Sequence, residues 1–334
     1  MGGKTFLARQ ETRNFAYGGF NMQERDNETV PVRPRRPRRS RPVIIVILLA
    51  AAAAVLLALR PWAHARPSAD AGTGSGESTD AVEELLGRLA AQITDGMAVN
   101  ECGPEYASEL RSLAREKAEY ARQLNFMAEH LEIYPEAAVK AALQGDEKVN
   151  FALQIPFRAP DSSGLGEQVT VTPGEIPYLT QYDERWGYHS YGSSVIGITG
   201  CGPTCLAMAA AGLTGNTSCN PARVADFAMA AGYYMAGTGT MWSLFTEGAA
   251  NFGLTGTELP LDVNVMQSSL DSGAVIVASM LPGDFTQSGH FIVIYGYGRD
   301  GFLVHDPNSR ALSSRSWSYE RLSGQIANLW SLSA

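Results

Sequence analysis

The sequence predicts an α+β fold for residues 165–334, with helices first and an antiparallel sheet after them. Three segments have the apolar spacing of helices, and three later runs are rich in Val, Ile and aromatic residues, which is typical of strands. The helical segments are 203–213, 221–232 and 240–253, and the strand-like runs are 275–278, 290–297 and 302–305. Arg299-Asp300-Gly301 is a hairpin-turn signal between the last two runs. Helices and strands that are segregated along the chain favour this fold class.

A helical region, residues 80–157, precedes that domain. Thr79 and Asp80 offer N-cap chemistry, and apolar residues then recur at helical spacing. The recurring residues are Val82, Leu85, Leu86, Leu89 and Ile93, then Tyr106, Leu110, Leu113, Tyr120, Leu124, Met127 and Leu131. A short third helix is predicted from Tyr134-Pro135-Glu136 to about Gly145. The region contains no cluster of catalytic residue types, so we interpret it as a brace or a prodomain-like element.

The N-terminal 42 residues are basic and are followed by an apolar segment. They hold ten Lys or Arg and four Asp or Glu, a net charge of +6, which leaves −14 in the rest because the whole chain carries −8. Seventeen uncharged residues from Val43 to Leu59 would span about 26 Å as a helix, the lower end of what a bilayer core needs. We therefore predict a basic cytoplasmic tail (1–42), a transmembrane helix (43–60) and a flexible linker (61–79). The rest of the chain would then lie outside the cell.

Two other interpretations of this segment remain open. Ala63-His64-Ala65 resembles a signal-peptidase site, although a 42-residue basic region and a 17-residue apolar core are long for a signal peptide. The arginine cluster could also bind nucleic acid, but the acidic bulk of the chain argues against nucleic acid as the main partner. We favour a single-pass membrane anchor.

Gly200-Cys201-Gly202-Pro203 opens the first helix of the C-terminal domain and supplies a candidate nucleophile. Unpaired N–H groups and the helix dipole favour negative charge at the first turn of a helix. The thiolate is the nucleophilic form of cysteine, so Cys201 stands where that form is favoured. A lone cysteine at a turn is often structural, and the interpretation depends on the residues that accompany it.

Two later residues supply the rest of a triad. His290, which opens a predicted strand after Ser288-Gly289, is the candidate base, and Asp306 is the candidate that orients its imidazole. A simple two-residue hairpin would place Asp306 opposite Val293 or Tyr295 rather than opposite His290. We therefore expect a bulge or a sheared register between the two strands.

Gln181, after a predicted short strand at 176–179, is the candidate oxyanion-hole donor, together with the backbone N–H of Cys201. Gln287 is an alternative donor. Asp183, Arg185 and Trp186 are expected to fix the Gln181 loop. His189 and His305 are interpreted as groups at the surface or behind the site.

Other chemistries have weaker support. A metal site has only weak support. It would have to use Cys201 and Cys205 with His290 and His305, and the chain lacks paired metal-type spacings. The sequence has no Gly-rich phosphate loop, Gly-x-Ser-x-Gly elbow or dinucleotide fingerprint, so we predict no metal and no cofactor. One disulfide among Cys102, Cys205 and Cys219 is compatible with an extracytoplasmic location, and none is required.

Taken together, these motifs resemble the papain-like cysteine peptidases typified by the leader-cleaving domain of bacteriocin exporters. The similarity is greatest to the stand-alone, secreted or membrane-anchored branch of Gram-positive bacteria, and it covers about residues 131–334. The matching segments are Ile176-Pro177-Tyr178 with Gln181, Asp183 and Trp186, then 200–204, 239–242, 282–286, 289–293 and 306–309. The resemblance implies a papain-like fold, a Cys201–His290–Asp306 triad, Gln181 in the oxyanion hole, and peptide or amide bonds as substrates. The exporter domains place their glutamine where this chain has Val195, so Gln181 is carried over only from the stand-alone branch.

The sequence therefore predicts a membrane-anchored, extracytoplasmic cysteine peptidase that acts on a peptide or protein substrate. Two alternatives remain: an amidase or endopeptidase that uses the same site on cell-wall peptides, and a papain-like binding module that no longer turns over. The acidic balance of the chain also predicts a preference for basic or neutral peptides over acidic ones.

Overall fold

The computed structural model describes residues 79–99, 101–158 and 160–334. Over those residues, no helix has both the length and the apolar character that crossing a membrane requires. The predicted tail (1–42), the predicted span (43–60) and all but the last residue of the predicted linker (61–79) lie outside the described residues.

The described residues form a mixture of helices and strands. The helices are α1 (Thr79–Ala90), α2 (Glu105–Glu116), α3 (Ala121–Glu129), α4 (Glu136–Ala142), α5 (Lys148–Arg158), α6 (Ile196–Thr199), α7 (Cys201–Thr214), α8 (Pro221–Ala230), α9 (Val263–Asp271), α10 (Arg310–Ser313) and α11 (Tyr319–Ser323). The strands are β1 (Ser190–Tyr191), β2 (Ser194–Val195), β3 (Tyr234–Met235), β4 (Gly239–Thr240), β5 (Thr255–Leu259), β6 (Val275–Met280), β7 (His290–Gly298), β8 (Gly301–His305), β9 (Ser316–Trp317) and β10 (Ile326–Ser333). Helices dominate before β5 and strands after it, which confirms the predicted segregation.

The long apolar stripe of the helical region belongs to two helices and not to one. The chain leaves the helical conformation at Lys117, where φ is −115° and ψ is 77°, and a 3₁₀ turn leads into α3. The two helices pack on each other, and the guanidinium of Arg111 reaches the carbonyl of Ala128. Periodicity continued through the break because residues on both sides face the same core.

The helical region shares a core with the segment that precedes Cys201. Phe151 of α5 is buried, and its ring packs 4.8 Å from that of Tyr188. The Tyr188 hydroxyl also donates to the Phe151 carbonyl at 3.1 Å. A Cβ on Gly197 would collide with the Phe151 ring, so the close approach of α5 to α6 depends on this glycine. The interpretation of the region as a brace agrees with these contacts.

The helix that begins at Cys201 is the central helix of the C-terminal domain. From Gly202 to Ala211 every residue of α7 is buried, and the alanines allow other elements to approach closely. The helix ends at Gly215, which has φ of 72° in the left-handed region. Asn220 caps the next helix, since its side chain accepts the N–H of Arg223 and Pro221 fills the first turn.

The main sheet has six antiparallel strands in the order β5-β10-β6-β7-β8-β9. The side chains of its strands alternate between two faces, and both faces are buried. Val277, Val293 and Trp330 pack in the core that surrounds α7, whereas Ile276 and Ile294 pack in a second core with residues of α9 and α11. Burying one such side chain contributes about 1.5–3 kcal/mol, so a sheet covered on both sides is a rigid platform for the residues at the ends of its inner strands.

The hairpin of β7 and β8 carries a bulge. Gly298 pairs with Gly301 across the turn, but Ile294 pairs with Val304, and Tyr295 is the extra residue on β7. His305 therefore lies opposite Val293, whereas an uninterrupted ladder would place it opposite Ile294. The bulge moves the end of β8 one residue closer to His290, as the sequence required.

Two of the predicted elements differ in the structure. Residues 176–179 form no strand: their backbone joins no ladder, and the Ile176 carbonyl accepts the ring N–H of His305 at 3.0 Å. The predicted helix at 240–253 is two short 3₁₀ helices, Trp242–Phe245 and Gly248–Phe252. Gly248 lies at the junction, and a Cβ there would approach Leu244.

Candidate active site

Cys201 is the first residue of α7 and is partly exposed, whereas Cys205, one turn later, is fully buried. Gly202 has no space for a side chain, because a Cβ would lie 2.6 Å from the Thr240 side chain. The Thr204 hydroxyl donates to the Gly200 carbonyl at 2.8 Å and fixes the first turn. The thiol is thus held at a helix N-terminus that is packed against the β3–β4 hairpin.

His290 is the first residue of β7 and is buried. Its Nε2 lies 2.7 Å from Oδ1 of Asp306, and the Cys201 thiol is close enough to form a hydrogen bond with the same ring. Burial alone would lower the pKa of His290. The negative charge and hydrogen bond of Asp306, together with the thiol of Cys201, outweigh it and raise the pKa to about 10.

Asp306 follows β8 and is completely buried. Its Oδ1 accepts the ring N–H of His290 and the backbone N–H of Asn308, the latter at 2.8 Å. Its backbone is fixed as well, since its N–H donates to the Ser313 hydroxyl and its carbonyl accepts the Tyr178 hydroxyl at 2.9 Å. The carboxylate has little freedom to move, which suits a group that orients an imidazole.

Gln181 is buried in the loop before β1. Its side-chain amide donates to the Gly197 carbonyl at 3.1 Å, and its backbone N–H donates to the Pro307 carbonyl at 2.8 Å. One amide proton remains free beside the groove that holds Cys201 and His290, while the buried Oε1 has no partner in the described part of the protein. Gln287 lines the same groove but is exposed.

The residues expected to fix the Gln181 loop contact one another. Arg185 pairs with Asp183 at 2.7 Å, and its guanidinium lies 4.3 Å from the ring centroid of Trp186. The Trp186 indole donates to the Thr180 carbonyl at 2.9 Å, one residue before Gln181.

His189 is buried and His305 is partly buried. His189 is held between the Ser163 carbonyl and the Asp226 carboxylate, both at 2.7 Å. His305 stacks on the bulged Tyr295 with ring centroids 4.0 Å apart, and burial lowers its pKa to about 4. His305 is therefore neutral and acts in packing.

Gln181, Cys201 and His290 line one groove of about 1680 Å³, and the buried Asp306 is hydrogen-bonded to His290. The remaining walls of the groove come from the β3–β4 hairpin, from the 284–289 loop and, unexpectedly, from the helical region. The contribution of the helical region consists of Glu105, Tyr106, Glu109, Lys140, Leu143 and Gln144. The helical region therefore forms one side of the groove. No pattern in the sequence indicated this, since Tyr106 belongs to the apolar stripe and the polar residues of the set carry no signal of a binding site.

The arrangement provides a nucleophile, a base and an oriented acid in one place. Between residues 79 and 334, leaving out the undescribed positions, no group of three or more His, Cys, Asp and Glu side chains is placed to hold a metal ion. The four cysteines are all free, and the Cys102 thiol donates to the Tyr134 carbonyl. The site therefore suits chemistry at a thiol.

Comparison with known proteins points in the same direction. Residues 174–333 match the model of a family described as Peptidase_C39 like. The match begins before Gln181 and extends beyond Asp306, so it includes all four site residues, and it supports a cysteine peptidase of that family.

Among solved structures, one match is a protein from Bacillus anthracis described as a C39-like peptidase. It is 15% identical, with a TM-score of 0.29, and the match covers 48% of this chain and 96% of the other. No curated protein matches this chain.

Proposed function

We propose that this chain is a cysteine peptidase that hydrolyses peptide bonds with Cys201 as nucleophile, His290 as base and acid, Asp306 as the orienting carboxylate and Gln181 as oxyanion-hole donor. The observation that carries the proposal is the buried His290–Asp306 pair beside a partly exposed Cys201 at the start of α7. The family match over 174–333 supports the class of reaction.

The first half of the reaction acylates the enzyme. The Cys201 proton moves to His290, and the thiolate attacks the substrate carbonyl carbon. The negative charge that develops on the carbonyl oxygen is stabilised by the free Gln181 amide proton and the backbone N–H of Cys201. The imidazolium of His290 then gives its proton to the departing amine, and the C–N bond breaks to leave a thioester.

The second half regenerates the thiol. His290 takes a proton from water, the hydroxide attacks the thioester carbonyl, and the same donors stabilise the second oxyanion. The C–S bond breaks, the carboxylic product leaves, and the proton returns to the sulfur. Asp306 orients the imidazole and stabilises the imidazolium in each half-reaction.

We further propose that the protein belongs to the stand-alone, membrane-anchored branch of the family, with 1–42 cytoplasmic, 43–60 in the membrane and the peptidase domain (165–334) outside. The support is the arginine cluster followed by seventeen uncharged residues. Alkaline extraction of membranes from cells that express the full chain tests this, and protease treatment of intact cells tests the orientation. Release of the protein by carbonate would contradict the anchor.

The test of the activity is the rate of alkylation of each cysteine against pH in the full-length protein. Burial raises the pKa of the Cys102, Cys205 and Cys219 thiols, so below about pH 8 we expect iodoacetamide to label Cys201 almost alone. His290→Ala should move the labelling of Cys201 to higher pH. Cys219→Ala is the matched control and should leave the profile unchanged.

Hydrolysis is then measured with a library of quenched fluorescent peptides. Wild type should cleave some members, and Cys201→Ala should cleave none. A Cys201 that labels only above about pH 8.5, the ordinary thiol range, would contradict the proposal and favour a papain-like binding module.

A further inference from the structure

Lys148, the first residue of α5, is a lysine inside the protein. Its side chain is only 4% exposed, although lysine is almost never fully buried unless it is paired. Its Nζ lies 3.0 Å from Oδ2 of Asp146 and 5.6 Å from the ring centroid of Tyr182. The third contact is with a residue 160 positions later: Nζ donates to the carbonyl of Asn308 at 2.7 Å. The helical region therefore reaches the loop after β8 with a buried charge.

Asn308 is the residue that holds the carboxylate of Asp306. Its N–H donates to Asp306 Oδ1 at 2.8 Å, and the same oxygen accepts the ring N–H of His290 at 2.7 Å. Lys148 thus holds the carbonyl of Asn308, while the N–H of the same residue orients Asp306. Without the ammonium group, the Asn308 carbonyl would lose its donor, and the short loop would be free to shift against His290.

The neighbour of Lys148 makes a second pair of links. The Glu147 carboxylate accepts the hydroxyl of Tyr182 at 2.6 Å and pairs with Arg310 at 2.9 Å. Tyr182 follows Gln181, and Arg310 begins α10 just after the Asp306 loop. The segment 146–148 therefore joins the loop that carries the oxyanion-hole donor to the loop that carries the orienting acid.

We propose that Lys148 is a positioning residue for the active site: it holds the Asp306–Asn308 loop in the register that keeps the His290–Asp306 hydrogen bond intact. The helical region is then part of the catalytic unit and not a detachable brace. This inference rests on the proposed function for its effect on activity, but the hydrogen bond that it predicts can be measured independently. Lys148 touches neither substrate nor thiol.

The test compares Lys148→Met with wild type in the full-length protein. Met preserves the length and the apolar stem but cannot donate to Asn308. We expect kcat to fall between about tenfold and a hundredfold with KM little changed, because the groove is intact and only the alignment of the base is lost. The rate of Cys201 alkylation at pH 7 should fall with it.

The second measurement is the NMR signal of the His290 imidazole, because a merely structural role of Lys148 would leave that signal unchanged. With ¹⁵N-labelled histidine, its Nε2 proton in the short hydrogen bond to Asp306 should resonate far downfield in wild type. In Lys148→Met that signal should move upfield or broaden by exchange. His290→Gln assigns the signal among the five histidines of the chain.

Arg158→Met is the matched control. Arg158 ends the same helix, pairs with Glu184 at 3.2 Å and covers the Tyr188 ring, so it joins the same two regions without contacting the Asp306 loop. It should leave the His290 signal and the alkylation profile as in wild type. If Lys148→Met does not fold, Lys148→Gln, which is shorter but polar, is read by the same two measurements.

The outcomes separate the two proposals. A folded Lys148 variant with an unchanged His290 signal overturns the positioning role, whatever its activity. Equal effects in Arg158→Met would also overturn it, since general loosening would then explain both. A wild type without low-pH reactivity at Cys201 contradicts the peptidase proposal, while the His290 signal still decides the role of Lys148.

Discussion

The two long walls of the groove differ in burial: the residues on one wall are buried and hydrogen-bonded, and those on the other are exposed and charged. One wall contains His290 of the sheet and Gln181 of the loop before β1, with Asp306 hydrogen-bonded to His290. All three are buried and held by hydrogen bonds of 2.7 to 3.1 Å. The wall formed by α2 and α4 presents Glu105, Glu109 and Lys140, all exposed. In the low dielectric of the first wall a single bond has a large effect, whereas charges on the second are screened by solvent and salt. The chemistry should therefore depend on few residues and recognition on many.

The largest expected effect lies on the buried wall. His290→Ala removes the base that takes the thiol proton and the acid that serves the leaving amine, and losses on the order of 10⁶ in kcat are known when such a base is removed. Single-turnover measurements on a cleaved peptide test this. A loss below about tenfold would show that His290 is not the base of the reaction.

The next effect concerns the oxyanion hole. Gln181→Ala should lower kcat by roughly 10²–10³ with KM nearly unchanged, because the donor acts on charge that appears only in the transition state. The exposed Gln287 provides the control. Gln287→Ala is expected to keep kcat within a few-fold, and the reverse pattern would assign the donor to Gln287.

Asp306→Asn tests the buried wall through the pH dependence of the rate. The substitution keeps an oxygen that can accept from His290 but removes the negative charge that, with its hydrogen bond, most strongly raises the pKa of that imidazole. In wild type the imidazolium should survive until the pH approaches about 10, so kcat/KM, which reports acylation, should fall as the pH rises through that value. In Asp306→Asn the alkaline limb of the rate profile should move to lower pH, and an unmoved limb would show that Asp306 does not control the base.

The smallest effect belongs to the exposed wall. Glu105 and Glu109 lie one turn apart on α2, and within the described ranges neither forms a salt bridge, whereas Lys140 is paired with Glu136 at 2.9 Å. Peptides with Lys or Arg facing α2 should be cleaved a few-fold faster than acidic ones at low salt, with the difference shrinking at high salt. Glu105→Gln with Glu109→Gln should remove that preference and leave kcat for a neutral peptide unchanged. A preference for acidic residues in wild type would contradict it.

Local signals in the sequence were sufficient for the elements and the candidate residues of the buried wall. The run 290–297 predicted β7, and the Gly-Cys-Gly-Pro motif predicted the start of α7. The bulge at Tyr295 was required by counting residues between His290 and Asp306, yet its position could not be derived, because packing of Tyr295 on His305 is a tertiary contact. The break at Lys117 was missed for a related reason, since both helices that flank it keep the same apolar stripe.

The contacts between the helical region and the C-terminal domain could not be predicted from the sequence. No signal in the sequence around Lys148 indicates that this lysine is buried, and its partner is far along the chain. The same holds for the groove-lining residues of α2 and α4, whose pattern is that of any solvated helix face. A single sequence records which residues prefer burial, but it does not record which distant loop a long side chain will reach.

The bulge on β7 also makes the site sensitive to strand register. The distance from His290 to Asp306 depends on which residues of β7 and β8 pair, so a change of register can silence the site without substituting any residue that performs chemistry. If Tyr295 entered the ladder opposite Val304, Ile294 would pair with His305, and Asp306 would move one position along β7, away from His290. A chain in that register would keep its thiol, imidazole and carboxylate in the sequence and still be inert, whereas deleting Tyr295 would leave the Ile294–Val304 and Val293–His305 pairs as they are.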